Sequence, residues 1–257
     1  MAVFISALMR TRNEEINLQK SLPNWLDFAD EVVICDAGST DNTKQVAEDL
    51  AGDKLVWVDF EGDYIGDGEV RFSHAGQQLN AGLEACSGQW IVTQDADTIF
   101  CEQFCVKIRE ELSQAKYDAY VMFGVHMMND WESYNNRALE GPGVPQVFRN
   151  LPHIRFPDKP DEAHLIELPD DQVGVLDFGV FHWGYMDAKI YAERLQGRLQ
   201  AHDDDDLQRV FSEALAHISV GNRKADTRLV PWYRCHAGCG ECWMKDQALR
   251  NREGMWE

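Results

Sequence analysis

The sequence contains no long hydrophobic run and no repeated or low-complexity segment, and it has few basic residues relative to acidic ones. No apolar run approaches the roughly 18–20 residues of a membrane-spanning helix, so we expect no transmembrane segment. The N-terminus lacks a basic leader and runs directly into a predicted strand, which argues against a signal peptide and for a cytoplasmic location. There, the seven cysteines are expected to be thiols or metal ligands rather than disulfides.

The shortage of positive charge restricts the partners we expect. Lysine and arginine number 24 against 44 acidic residues, which gives a formal net charge of −20. This balance argues against broad electrostatic binding to nucleic acid, without excluding a small basic groove. A length of 257 residues and the absence of a linker favour one domain with two lobes.

Strand-like and helix-like patterns alternate through the first hundred residues. Apolar, β-prone runs lie at 3–8, 32–35, 55–58 and 90–93, with helical patterns between them, the last from about 70 to 85. Such alternation predicts an α/β fold with a mostly parallel sheet flanked by helices. The second half predicts a smaller mixed lobe, with short strands at 119–125, 146–149, 165–168 and 173–181 and helices at 187–201 and 207–220.

Two carboxylates, Asp95 and Asp97, follow the predicted strand at 90–93. Strand alternation would direct both to one side, where they repel unless a cation lies between them. A divalent cation carrying a diphosphate would supply that charge, and ligands of open α/β sheets bind beyond the carboxyl ends of the strands. Asp-x-Asp alone is common, and a solvated acidic turn explains it as well.

The surrounding motifs supply a context for this pair. In order along the chain they are Arg12-Asn-Glu-Glu15, Asp36-Ala-Gly-Ser-Thr-Asp41, Gln78-Leu-Asn-Ala-Gly82, Gly88-Gln-Trp-Ile91 and Asp95-Ala-Asp97. With this ordered set the chain resembles glycosyltransferase family 2, whose members are inverting enzymes with the GT-A fold. The resemblance is close over residues 1–100 and loose over 101–200. It implies one GT-A domain over 1–220, with a nucleotide-binding half (1–100) and an acceptor half (101–220), followed by an extension (221–257).

The resemblance also implies a function. It points to a hexosyl- or pentosyltransferase that moves a sugar from a nucleoside diphosphate donor, most simply a UDP-sugar, to an acceptor hydroxyl with the help of Mn²⁺ or Mg²⁺. The acceptor could be a glycan, a lipid-linked molecule or another hydroxyl compound. Two alternatives stay open: a catalytically idle nucleotide-binding protein on the same fold, and a glycosyltransferase for hydroxylated DNA bases, against which the net charge counts. Sugar-nucleotide pyrophosphorylases share the fold class, but their glycine-rich signature is absent after the first strand.

Most residues of the nucleotide site are assigned by this resemblance. Asp36 would accept a hydrogen bond from a uracil-like base, unless it only tethers its own turn, and Asp97 would bind the metal. Asp95 would hold the ribose or a metal-bound water. Gln77 and Asn80 would face the nucleotide from a helix, unless they are surface amides. The remaining residues that the resemblance places there are Thr11, Arg12, Glu14 and Ala96. Glu14 is equally well explained as a residue of the first turn of a helix.

The acceptor side carries candidates for the base and for a further metal ligand. We expect Glu162 to be the base, with Asp161 as the reserve, although an exposed acidic turn explains both. Family members often show His-Glu here, and the sequence Glu-Ala-His of this chain leaves the identity of the base open. His182, at the end of a predicted strand, would give a ring nitrogen to the metal, unless it is a core histidine.

A cluster of thiols lies near the C-terminus. Cys235, His236, Cys239 and Cys242 have the short spacings that are typical of structural zinc sites. Because His236 directly follows Cys235, both are awkward ligands for one ion, and a fourth ligand such as His217 would be needed. Unligated, reduced cysteines are the alternative.

Overall fold

The computed structural model describes residues 3–61, 75–128, 133–135, 145–157, 168–185 and 227–229. Its helices are α1 (Glu15–Leu26), α2 (Thr43–Ala51), α3 (Ala75–Ala85) and α4 (Glu102–Ser113). Its strands are β1 (Ile5–Thr11), β2 (Glu31–Asp36), β3 (Leu55–Asp59), β4 (Trp90–Thr93), β5 (Thr98–Phe100), β6 (Ala119–Met128), β7 (Ser133–Asn135), β8 (Val147–Arg149), β9 (Val173–Tyr185) and β10 (Thr227–Leu229).

The first four strands form a parallel sheet in the order β3-β2-β1-β4. Parallel neighbours require crossover connections, and α1 and α2 provide them between β1, β2 and β3. β8 continues the sheet antiparallel to β4, and β6 pairs with β8. β9 then runs parallel to β6 and antiparallel to the short β5. The predicted α/β class with a mostly parallel sheet is confirmed for the first half of the chain.

Helices cover both faces of this sheet. One apolar cluster joins α1, α2 and α4 to one face, with Trp25, Phe100 and Phe104 among its largest fully buried side chains. The other joins α3 to the opposite face, where Phe148 and Phe156 pack. Alternate residues of β1 serve the two clusters, as the two-residue period of a strand requires.

The predicted elements agree with the structure where their pattern is long or strongly apolar. β4 occupies the predicted 90–93, and the strand predicted at 173–181 extends further, to Tyr185. The helices predicted at 187–201 and 207–220, and almost all of the strand predicted at 165–168, lie outside the described residues. Within the described ranges, no helix is both long and apolar enough to cross a membrane.

Candidate nucleotide and metal site

The candidate site lies at the edge of the sheet where the parallel strands end. β1 ends at Thr11, β2 at Asp36 and β4 at Thr93. Because carboxyl ends of neighbouring parallel strands meet at one edge, the loops that follow them lie together. The polar residues singled out in the sequence are concentrated in these loops.

The acidic pair lies in a short turn between β4 and β5, not on a continuing strand as the alternation argument assumed. Asp97 is 3% exposed, whereas the side chain of Asp95 is 32% exposed. Ala96 between them is buried in the core. The turn still brings the two carboxylates close together, but the strand alternation from which we predicted this does not extend to residues 95 and 97.

His182 joins this pair from the second half of the chain. β5 pairs antiparallel with β9 so that Thr98, directly after Asp97, lies opposite His182. The Nε2 atom of His182 is 3.0 Å from Oδ1 of Asp97. Asp95, Asp97 and His182 each offer one ligand atom, and these three atoms lie within 4.8 Å of one another. Two carboxylates and one imidazole form a donor set that fits a divalent cation.

A cation that the sequence reasoning overlooked also reaches the acidic pair. β1 and β4 are parallel neighbours with Leu8 opposite Thr93, so two residues further on Arg10 comes beside Asp95. Its Nε donates to Oδ1 of Asp95 over 3.1 Å. The sequence contained a signal for this contact. Arg10 and Asp95 each lie two residues after a predicted strand, 3–8 and 90–93, and these strands were predicted to be parallel.

Helix α1 holds β5, and therefore the turn before it, in place. The buried side-chain amide of Asn24 donates to the carbonyl of Phe100 (3.0 Å) and accepts from its N–H (2.8 Å). The indole of Trp25 donates to the carbonyl of Thr98 over 2.8 Å. Three hydrogen bonds from one helix turn thus anchor the strand that pairs with the His182 segment.

Asp36 ends β2 and is 4% exposed. Its Oδ1 accepts from Thr11 Oγ1 (2.8 Å) and Ser39 Oγ (2.5 Å), and its Oδ2 accepts from the Ser39 amide (2.7 Å). Gly38, with a φ of 75°, permits the tight turn that returns Ser39 to Asp36. Asp36 therefore tethers its turn, and Thr11 supports it from the neighbouring strand.

Gln78 is a second residue that the sequence reasoning missed. Its buried amide donates to the carbonyls of Thr11 (3.2 Å) and Cys35 (2.6 Å), so it joins the ends of β1 and β2. The predicted Gln77 is solvent-exposed on the same helix. Helix period alone could not choose between adjacent glutamines, because the choice depends on how α3 is rotated against the sheet.

The pKa of the Cys35 thiol is raised to about 12, mainly by burial. A hydrogen bond with the Gly82 backbone lowers the pKa, and the nearby Asp36 and Asp59 carboxylates raise it. A thiol with such a pKa is neutral at physiological pH, so Cys35 serves as a packing residue and not as a nucleophile.

The loops after β1 and β2 hold each other together. Asn13, in a left-handed conformation with a φ of 54°, accepts from the Thr40 amide over 2.8 Å. The amide of Glu14 donates to Thr43 Oγ1 (2.8 Å), and that of Glu15 donates to Asp41 (3.2 Å). These interactions cap the start of α1 with side chains from the start of α2. The amides of Glu14 and Glu15 are consequently used within the protein.

Two further predicted residues lie beside these loops. Arg12 is partly buried in the loop after β1, and the carboxylate of Glu14 accepts a hydrogen bond from Asn17 Nδ2 over 2.6 Å. This contact agrees with the reading of Glu14 as a first-turn helix residue and leaves its role toward a nucleotide a prediction.

Asn80 on α3 contacts the segment that follows β8, and its role toward a nucleotide stays a prediction. Its amide donates to the Phe156 carbonyl and accepts from the Phe156 N–H, both over 3.0 Å. Gly76, one turn before Asn80 on α3, allows Pro157 to approach the helix, since a Cβ atom at position 76 would lie 2.0 Å from the carbonyl oxygen of Pro157. Asn80 therefore docks the 156–157 segment onto α3.

The other predicted site residues cannot be placed. Asp161 and Glu162, the candidates for the base, lie outside the described residues, four and five positions after Pro157. The candidate zinc ligands Cys235, His236, Cys239 and Cys242 also lie outside them.

Solved structures resemble this chain over most of its length. The TarS protein of S. aureus, in the crystal structure of its residues 1–349, superposes with a TM-score of 0.52 at 16% identity, over 84% of this chain and 70% of that one. The same TarS fragment in complex with UDP-GlcNAc superposes equally, with a TM-score of 0.52 at 14% identity. This likeness bears on the fold and confirms the GT-A class.

Sequence relatives cover less of the chain. A TPR repeat-containing protein of Synechococcus elongatus is 29% identical over 179 residues, 70% of this chain and 38% of that protein. An uncharacterized glycosyltransferase of Rickettsia bellii is 27% identical over 124 residues, 48% of this chain and 38% of that protein. The chain thus spans about two fifths of the length of these relatives.

The model of glycosyl transferase family 2 matches residues 6–164, which include every motif of the candidate nucleotide site. This match ends before the C-terminal cysteines and gives a zinc site no support. It covers more than half of the chain, and the chain therefore belongs to glycosyl transferase family 2.

Proposed function

We propose that this chain is an inverting glycosyltransferase that moves a sugar from a nucleoside diphosphate donor to an acceptor hydroxyl. The observation that carries the proposal is the convergence of Asp95, Asp97 and His182 within 4.8 Å at the carboxyl edge of a family 2 sheet. TarS was crystallised with UDP and with UDP-GlcNAc, which makes UDP-sugars the first donors to test.

Asp97, His182 and Asp95 would hold Mn²⁺ or Mg²⁺, which when bound neutralises charge on the departing diphosphate. The contacts at the start of α1 agree with a need for such a cation. The amides of Glu14 and Glu15 donate to side chains of the protein, so α1 does not offer them to the diphosphate. Nucleotide-binding folds that bind phosphate at the N-terminus of a helix use backbone amides of this kind. In this chain the negative charge of the diphosphate has to be balanced by side chains or by a metal.

On the nucleotide side, Asp36 lies at the end of β2, where a carboxylate can accept from the N–H of a uracil-like base. Its three protein hydrogen bonds fix its orientation and leave acceptor capacity, since an ionised carboxylate offers about four lone-pair sites. On the acceptor side, Glu162, with Asp161 as the reserve, would remove the proton of the attacking hydroxyl. The acceptor oxygen then bonds to the anomeric carbon as the bond to the diphosphate breaks.

Calorimetric titration of UDP with and without Mn²⁺ tests the metal assignment. We expect Mn²⁺ to tighten UDP binding to the wild-type protein, and Asp97→Asn to remove most of that gain. Asp49→Asn, an exposed aspartate on α2, is the matched control and should behave as the wild type. UDP binding that is indifferent to both Mn²⁺ and Asp97→Asn would refute the metal assignment.

A donor screen tests the transferase assignment. Mass spectrometry with a panel of UDP-, GDP- and dTDP-sugars should show turnover of one donor, and Glu162→Gln should abolish it without changing UDP affinity. UDP binding without turnover of any donor would favour the alternative, a nucleotide-binding protein that has lost catalysis.

A further inference from the structure

Arg10 is a mostly buried arginine that contacts the candidate metal site. Its side chain is 11% exposed, whereas the side chain of its partner Asp95 is 32% exposed. The Arg10 side chain is therefore more buried than the carboxylate side chain that it contacts. It approaches from β1, on the neighbouring strand, and does not depend on any segment outside the described residues.

This arrangement changes the charge that a metal ion would meet. Asp95 and Asp97 together carry a charge of −2, and Arg10 offsets one of these charges at 3.1 Å from Asp95. A divalent cation drawn to the pair is simultaneously repelled by the guanidinium, and in a partly buried site this repulsion is weakly screened. A diphosphate would restore the negative charge that Arg10 removes.

We propose that Arg10 makes metal binding conditional on the nucleotide: the guanidinium weakens binding of a lone divalent cation, so that cation and nucleoside diphosphate bind together. The proposal rests on the proposed function for its nucleotide part. By thermodynamic linkage, the factor by which UDP tightens Mn²⁺ binding equals the factor by which Mn²⁺ tightens UDP binding. Removing the Arg10 charge should reduce both.

Arg10→Gln separates charge from hydrogen bonding, because glutamine can still donate to Asp95 but carries no charge. We expect Arg10→Gln and Arg10→Met to bind Mn²⁺ alone about tenfold more tightly than the wild type, as the loss of one nearby repulsive charge predicts. Arg10→Lys keeps the charge and should stay within about twofold of the wild type. The measurement is Mn²⁺ titration without nucleotide, by calorimetry or by electron paramagnetic resonance of the free ion.

Arg109→Met is the matched control. Arg109 pairs with Asp30 at 2.7 Å, and Asp30 contacts the amides of Phe4 and Ile5, at the opposite end of β1 from Arg10. This variant alters the net charge by the same amount as Arg10→Met, but the charge is removed away from the acidic pair, so the Mn²⁺ affinity should stay unchanged. Equal tightening in Arg109→Met would show a general charge effect and overturn the proposal.

The two proposals fail in different ways. If Arg10→Gln and Arg10→Met bind Mn²⁺ alone no more tightly than the wild type, the role of Arg10 is refuted, whatever UDP does. If Mn²⁺ alone binds more tightly to the variants while UDP never binds to the wild type, the role of Arg10 toward the cation stands and the nucleotide function fails. If Mn²⁺ binds none of the folded proteins even in the presence of UDP, both the role of Arg10 and the metal assignment of the proposed function are refuted.

Discussion

Side chains from two separate strands reach the turn at 95–97. Arg10 comes from β1 and His182 from β9, and each contacts one member of the acidic pair at about the same distance. Neither contact is local in sequence. At the residue scale, the site depends on two carboxylates whose partners are delivered by strand pairing.

His182→Ala should weaken Mn²⁺ binding at saturating UDP by at least about tenfold, since even the loss of a residue that only orients a metal ligand costs that much. The measurement is Mn²⁺ titration in the presence of UDP. His153→Ala, an exposed histidine after β8, serves as the control and should leave the affinity unchanged. Unaltered Mn²⁺ affinity in His182→Ala would remove His182 from the ligand set.

At the scale of elements, α1 fixes the position of β5. β5 contains only three residues and would not be stable alone, so its position depends on the bonds from Asn24 and Trp25 and on pairing with β9. A strand this short was not predicted from the sequence, because three residues do not establish a period. It nevertheless determines that His182 faces Asp97.

Asn24→Ala should destabilise the protein by about 2–4 kcal/mol, because it leaves both backbone groups of the buried Phe100 without their partner. Urea unfolding monitored by circular dichroism measures this change. Gln19→Ala, at an exposed position of the same helix, should change the free energy of unfolding by less than about 0.5 kcal/mol. A loss below about 1 kcal/mol in Asn24→Ala would mean that α1 does not anchor β5 as described.

At the scale of the whole molecule, Asp30 fastens distant parts of the chain at the edge opposite the site. It accepts from the amides of Phe4 (2.9 Å) and Ile5 (3.0 Å) at the start of β1 and from Arg109 (2.7 Å) on α4. Burial opposes ionisation of Asp30, but the Arg109 hydrogen bond, the two amides and the Arg109 charge outweigh it and hold the pKa of this carboxyl below its usual value.

Because the pKa of Asp30 is lower in the folded than in the unfolded state, its contribution to stability is present above the unfolded value, about 3.9, and is lost as the pH falls through the folded value. Asp30→Asn should therefore lower the free energy of unfolding at pH 7 by about 1 kcal/mol, a small value because the pair is half-exposed. The difference between variant and wild type should shrink near pH 3. Urea midpoints at the two pH values measure it, and a difference that grows toward low pH would contradict the assignment.

The predictions from sequence succeeded where a pattern was local. The strand at 90–93 was recognisable because four consecutive apolar or β-branched residues, fully buried in the structure, precede the polar turn. Asp36 was placed at the end of its strand for the same reason. The pairing of Asn80 with Phe156 was not foreseen, because it joins residues 76 positions apart through backbone groups that carry no sequence signal.

The sequence by itself determined the α/β alternation, the family and the acidic pair, since hydrophobic period and motif order are properties of neighbouring residues. Only the tertiary structure decided what surrounds that pair: the pairing of β5 with β9 brought His182 to Asp97, and the register of β1 against β4 brought Arg10 to Asp95. The physical reason is that strand register and helix rotation are set by packing over the whole sheet. A one-residue change in either would deliver a different side chain to the same position.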